Sequence, residues 1–213
     1  MTKSVLIFGD SNTHGTVPMA APGQVDRYPP GARWPDILAR LLGAGWTVIA
    51  EGQPGRTTVH DDPMEGPHRN GALLLPASLE THRPLDLVAI HLGTNDLKAR
   101  FSVGPADIAQ GLERLVRIVR GSNAGPGGAA PDVLVACPPP IAETGGLAGI
   151  FAGGAAKSRG LAPEVEAMAE RNGIRFLDLG PVARVSATDG IHYEADQMEP
   201  IARAFAATIG QGE

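Results

Sequence analysis

Aromatic side chains, cysteine and long apolar runs are all scarce in this sequence of 213 residues, and each shortage removes a class of protein. Only 4% of the residues are Phe, Trp or Tyr, so the core must come from Ala, Val, Leu and Ile, which suits a layered α/β fold better than an aromatic-rich β-sandwich. The single cysteine, Cys137, rules out an intramolecular disulfide framework and a multi-cysteine metal site, and points to a reducing compartment. No apolar stretch approaches the ~18 residues of a membrane span, and residues 5–8 are too few for the apolar segment of a signal peptide. Basic charge is short as well: 18 Lys and Arg stand against 23 Asp and Glu, a formal net charge of −5. With no run of Lys or Arg, neither nucleic acid nor an anionic membrane is an expected partner. These exclusions leave a cytoplasmic protein, read as one domain over residues 1–213.

Gly and Pro are abundant, at 28 and 19 residues, yet remain below the level of a disordered tract. Between such turn residues, five apolar runs read as strands at 4–8, 46–50, 85–92, 132–137 and 174–177. Segments of helical length alternate with them at 34–42, 71–81, 106–120, 160–172 and 195–209. The helix at 106–120 is the clearest, because Ile108, Ala109, Leu112, Leu115, Val116 and Val119 follow the spacing of an apolar stripe. The alternation predicts a parallel five-stranded sheet covered on both faces, a three-layer α/β/α sandwich. Ligands bind such sheets beyond the carboxyl ends of the strands. The Gly/Pro-rich loop 138–154 follows a strand and is expected to line a site, whereas loop 123–131 precedes one and reads as a surface connection.

Four short blocks fall at the carboxyl ends of these strands. Gly9-Asp10-Ser11, with Asn12 and Thr13 behind it, can expose a serine hydroxyl in a tight turn, the posture of a nucleophile. Gly52-Gln53-Pro54-Gly55-Arg56-Thr57 follows the second strand, and there Gly55 can offer a backbone N–H at close approach. Gly93-Thr94-Asn95-Asp96 ends the third strand, where the Asn95 amide can donate to a developing oxyanion. In Asp189-Gly190-Ile191-His192 the carboxylate can reach the imidazole, fix its tautomer and leave it fit to take a proton from a serine. Each block alone reads more readily as a turn, a cap or a surface pair. Gathered at one crevice, they supply a nucleophile, a base, an orienting acid and three oxyanion donors.

In this order and over most of the chain, the blocks resemble those of the SGNH hydrolase superfamily, also called GDSL esterases and lipases. Closer likeness to its bacterial arylesterase and acyltransferase branch lies in Glu51-Gly52, Arg56-Thr57-Thr58, Asp61-Asp62-Pro63, Leu85-Asp86-Leu87-Val88 and Pro138-Pro139-Pro140. The resemblance implies a flavodoxin-like α/β/α fold and a serine esterase for small, acetyl-type carboxylic esters of alkyl, aryl or sugar alcohols, with no cofactor and no metal. It implies Ser11 as nucleophile, His192 as general base and Asp189 as its partner. The N–H groups of Ser11 and Gly55 and the side chain of Asn95 would form the oxyanion hole, with Asp10, Asn12, His14 and Thr94 expected against the substrate. Acyl transfer to an alcohol is a further implication, as is a homo-oligomer, since the branch includes octamers. The chain departs from the family pattern at Asn12, where Leu is usual, and at His14 and Thr16, where branch members can carry bulky aromatics. A more polar channel is therefore expected.

Two other classes stay open at this point. Asp10, Asp61, Asp62 and His192, with His60 beside them, contain the donor types of a metal-dependent phosphoesterase. A catalytically silent module that binds acylated sugars would keep the same pocket. His68, His82 and His91 have no evident partner at ligand spacing, and Cys137 reads as an inert buried thiol. The sequence holds no G-x-S-x-G elbow, Walker A loop or G-x-G-x-x-G fingerprint, which removes the ordinary α/β-hydrolase, P-loop and dinucleotide-binding readings.

Overall fold

The computed structural model describes residues 2–21 and 23–210. Five strands, β1 (Lys3–Gly9), β2 (Trp46–Gly52), β3 (Leu87–His91), β4 (Asp132–Cys137) and β5 (Arg175–Asp178), pair in parallel in the order β2-β1-β3-β4-β5. The winding reverses between β1 and β3, which is where a doubly wound sheet opens a crevice beyond its carboxyl ends. Between the strands run α1 (Ser11–His14), α2 (Trp34–Leu42), α3 (Gly71–His82), α4 (Pro105–Arg120), α5 (Gly154–Ser158) and α6 (Leu161–Asn172), and α7 (Met198–Gly210) follows β5.

Strand β1 shows why the sheet is covered on both sides. Val5 and Ile7 join a cluster with Trp34 and Leu38 of α2 and Ile201 and Phe205 of α7, whereas Leu6 and Phe8 join Leu75 of α3, Leu112 of α4 and Val165 of α6. Successive side chains of a strand point to opposite faces, so only a strand apolar at every position can serve two helical layers. The stripe on α4 is buried throughout, from Ile108 to Val119, at roughly 1.5–3 kcal/mol for each large side chain removed from water. Pro105 opens that helix, and the Asp107 carboxylate accepts from Gly104 N at 2.8 Å.

Five strands and five long helices fall where the sequence pattern puts them. Helix α7 is preceded by a single 3₁₀ turn, Ala195–Gln197, inside the segment expected to be one helix. Helices α1 and α5 lie outside the expectation because four and five residues are too few to show a helical period.

Candidate active site

At the end of β1, Asp10 leaves the strand with extended backbone, and its carboxylate accepts from Asn12 N at 2.9 Å. This cap starts α1 with Ser11 as its first residue. Gly9 must be glycine here, since a Cβ would stand 2.1 Å from Thr13 Oγ1. After one turn the helix stops at Gly15, whose φ of +86° suits glycine.

Across the crevice, Asp189 Oδ1 accepts from Ile191 N and His192 N at 3.0 and 2.9 Å. Its Oδ2 accepts from Met19 N at 2.7 Å and lies 2.6 Å from His192 Nδ1. Gly190 allows this turn with φ +75°, and a Cβ there would meet Ala142 O at 2.0 Å. Burial alone would raise the Asp189 carboxyl, but the His192 side chain and the N–H groups of His192 and Met19 hold it down at about 2. In the tautomer that carries its proton on Nδ1, His192 donates to Asp189 Oδ2 and presents Nε2 as an acceptor. That nitrogen lies 3.0 Å from Ser11 Oγ. The arrangement can draw a proton from the hydroxyl.

Gly55, at φ +76°, and Asn95 line the same cavity as Ser11 and His192. Asn95 Nδ2 donates to Asp10 Oδ2 at 3.3 Å, which leaves its second N–H for a ligand. The loops that carry these two residues are tied together by buried charge. Asp96 accepts from Thr58 N at 3.0 Å and from Thr58 Oγ1 at 2.5 Å. Lys98 Nζ lies 3.1 Å from Asp62 and 2.6 Å from Glu65, and Arg100 lies 2.8 Å from Asp62. Burial would raise Asp62, yet the N–H groups of Met64 and Glu65 and the Lys98 ammonium hold it at about 2. Asp10 goes the other way: burial pushes it up to about 6, against the Asn12 N–H and the nearby His192 and Arg56 side chains. The Arg56 guanidinium is lowered to about 10 by burial, donates to Gly9 O at 2.8 Å and lies over the Phe8 ring at 4.0 Å.

The cavity measures about 200 Å³, less than the ~300 Å³ at which drug-sized sites begin, so it suits a small ester. Loop 138–154 contributes Leu147, Ile150 and Phe151 to its wall, and Met19 and Ile191 add to the apolar part. Of the four side chains expected against substrate, His14 lines the cavity. Asp10, Asn12 and Thr94 do not: each is buried beneath it. For Asn12 the reason is α1, whose single turn directs it inward, where its Nδ2 donates to Ile191 O at 3.1 Å, and Thr94 is carried inside by the tight turn after β3. Glu65 and Lys98 also line the cavity, and the sequence alone marked neither.

The residues named for a metal site are engaged elsewhere. Asp61 accepts from Asn70, Asp62 is held by Lys98 and Arg100, and Asp10 caps α1. Among the described residues no three His, Cys, Asp or Glu side chains are gathered as a metal site. His82 has a partner after all, Glu51 at 2.9 Å. Burial pushes the Cys137 thiol far up, which makes it a poor nucleophile. No helix among the described residues is long and apolar enough to cross a membrane.

The GDSL-like Lipase/Acylhydrolase family matches residues 7–200. An aryl esterase from M. smegmatis, solved in native and inhibitor-bound forms, is 42% identical over 99% of both chains, with a TM-score of 0.94. A carbohydrate acetylesterase from Sinorhizobium meliloti is 38% identical over 100% of both chains, with a TM-score of 0.95. A lipolytic protein of the G-D-S-L family from Veillonella parvula, 14% identical over 99% of this chain and 97% of that one, shares the fold at a TM-score of 0.65. The search of curated proteins gave no match.

Proposed function

The chain belongs to the GDSL-like lipase/acylhydrolase family and is a carboxylic ester hydrolase, and on that premise we propose that Ser11, His192 and Asp189 carry the reaction. Ser11 Oγ attacks the ester carbonyl carbon while His192 Nε2 takes the hydroxyl proton, and Asp189 stabilises the imidazolium that forms. The N–H groups of Ser11 and Gly55 and Nδ2 of Asn95 receive the oxyanion. Donors fixed in advance need no reorganisation as charge develops, and one of them is worth about 3 kcal/mol of barrier. The tetrahedral species then breaks its C–O bond to the alcohol, His192 returns the proton to the leaving oxygen, and the acyl group stays on Ser11. Water attacks the acyl-serine with His192 again as base, which releases the carboxylic acid and restores the hydroxyl.

The observation that carries this reading is the unbroken contact from Asp189 Oδ2 to His192 Nδ1, 2.6 Å, and from His192 Nε2 to Ser11 Oγ, 3.0 Å. The small cavity, with relatives named for aryl esters and carbohydrate acetates, supports short acyl groups on aryl, alkyl or sugar alcohols. An alcohol held against Leu147, Ile150 and Phe151 competes with water for the acyl-serine, so acyl transfer is part of the proposal. Exposed Val25 and Ile150 at the cavity favour a homo-oligomer. The free thiol of Cys137 favours the cytoplasm.

The test is Ser11→Ala assayed on p-nitrophenyl acetate, with kcat expected to fall by roughly 10⁴-fold or more. A serine-directed phosphonate is expected to inactivate the wild type, and EDTA is expected to leave it active. Retained turnover in Ser11→Ala overturns the mechanism, and a wild type that releases no p-nitrophenol is a binding module instead.

A further inference from the structure

His91 touches none of the reacting groups, yet it sits where their supports meet. It is the last residue of β3, lies in register with Gly9 of β1, and leads through Leu92, Gly93 and Thr94 to Asn95. Its ring is buried at 2% exposure, with Trp34 and Phe205 edge-on at 5.9 and 6.0 Å and the Tyr193 ring stacked at 6.2 Å. Nδ1 lies 3.3 Å from Thr13 Oγ1, and Nε2 lies 3.3 Å from the Tyr193 hydroxyl. Thr13 and Tyr193 are as buried as the imidazole. Thr13 belongs to α1, the turn that presents Ser11, and Tyr193 directly follows His192.

Burial lowers the His91 imidazole to about 4, so the ring is neutral at working pH and carries one donor and one acceptor. Such a ring pairs with one hydroxyl that gives a proton and one that receives it. An apolar side chain would fill the same space among Trp34 and Phe205 but would strand both buried hydroxyls. Packing alone does not call for an imidazole here.

We propose that His91 is a positioning residue of the esterase site: through Thr13 and Tyr193 it sets the spacing between the turn that presents Ser11 and the loop that presents His192. This rests on the assignment of Ser11 and His192 given above. Each of those segments is shaped locally, by the Asp10 cap and by the N–H groups that Asp189 Oδ1 accepts, and neither of these local devices fixes one segment relative to the other. Asn12 Nδ2 donating to Ile191 O spans the gap, and Met19 N on Asp189 Oδ2 spans it beyond the turn that presents Ser11. Both ties leave the backbone of α1 and the residue after His192 unjoined on the core side, and there His91 links Thr13 to Tyr193.

Tyr193→Phe and Thr13→Val each delete one hydroxyl with little change of shape. On p-nitrophenyl acetate each lowers kcat about tenfold at unchanged KM, since a small misplacement of reacting atoms slows chemistry without weakening binding. The double variant is no slower than the slower single one, because either deletion breaks the tether. Thr13→Ser keeps the hydroxyl and loses the methyl group, so its Tm falls while its kcat stays at the wild-type value. Wild-type kcat in Tyr193→Phe and Thr13→Val overturns the proposal, as does a Thr13→Ser variant as slow as Thr13→Val. Ser11→Ala measured alongside separates the two levels. If it is active, the nucleophile assignment falls and takes this proposal with it; if it is inactive while the hydroxyl deletions run at full rate, the tether alone is wrong.

Discussion

The cavity has two walls built by different physics. On the His192 side the geometry comes from a turn: Asp189 accepts from two N–H groups within three residues, and its Oδ2 meets the imidazole. On the side of Gly55 and Asn95 the geometry comes from charge brought together across the chain, with Lys98 and Arg100 on Asp62 and Asp96 on Thr58. The first wall is expected to fail in its chemistry and the second in its stability. Buried ion pairs add little net stability when formed, because desolvation offsets attraction, but removal of one member leaves an uncompensated charge in the interior.

The largest separation of the two walls is expected from Asp189→Asn. The amide no longer holds the proton on Nδ1, and kcat falls by roughly 10³- to 10⁴-fold in steady-state assays. Asp189 also leaves a mark on acid unfolding. Its folded carboxyl, near 2, lies below the ordinary 3.8. Its contribution to stability is therefore complete above pH 3.8 and is lost as pH falls through about 2.

Next in size is Lys98→Met. With Asp62 wholly buried and Lys98 nearly so, loss of the ammonium is expected to destabilise the fold by about 3 kcal/mol in urea unfolding, the low end for a buried pair because Arg100 still meets Asp62. Lys98→Met of wild-type stability would erase the distinction between the walls. The smallest effect is assigned to Asp10, and its pH dependence runs opposite to that of Asp189. Its folded carboxyl, about 6, lies above 3.8, so the stability it contributes is present below pH 3.8 and lost as pH rises through about 6. Above that, the ionised group costs the fold up to about 3 kcal/mol. Asp10→Asn keeps an acceptor for Asn12 N, and its Tm should gain on the wild type between pH 4 and pH 8. A constant difference in Tm across that range would show that Asp10 is not strained by burial.

The two walls also differ in how far they can be read from the amino-acid order. Asp189, Gly190 and His192 form a local turn, and Asp10 and Ser11 form another, so residue type and spacing carry most of their meaning. Lys98 reads as a solvated cation, and nothing near it in sequence announces that Asp62 and Glu65 will enclose it. Asn12 and Thr94 are expected against the substrate, yet the short α1 and the tight turn after β3 carry them inside. His91 reads as a histidine without a partner because Thr13 and Tyr193 reach it from opposite ends of the chain.

Strand alternation and the stripe on α4 are local periodic properties, so the order of residues alone settles the layered α/β sheet and places four blocks of turn residues at one edge. Which polar side chains then face an ester, and which are buried to support the ones that do, depends on contacts between segments dozens of residues apart. Burial and charge pairing are properties of those contacts, and only the folded chain decides them.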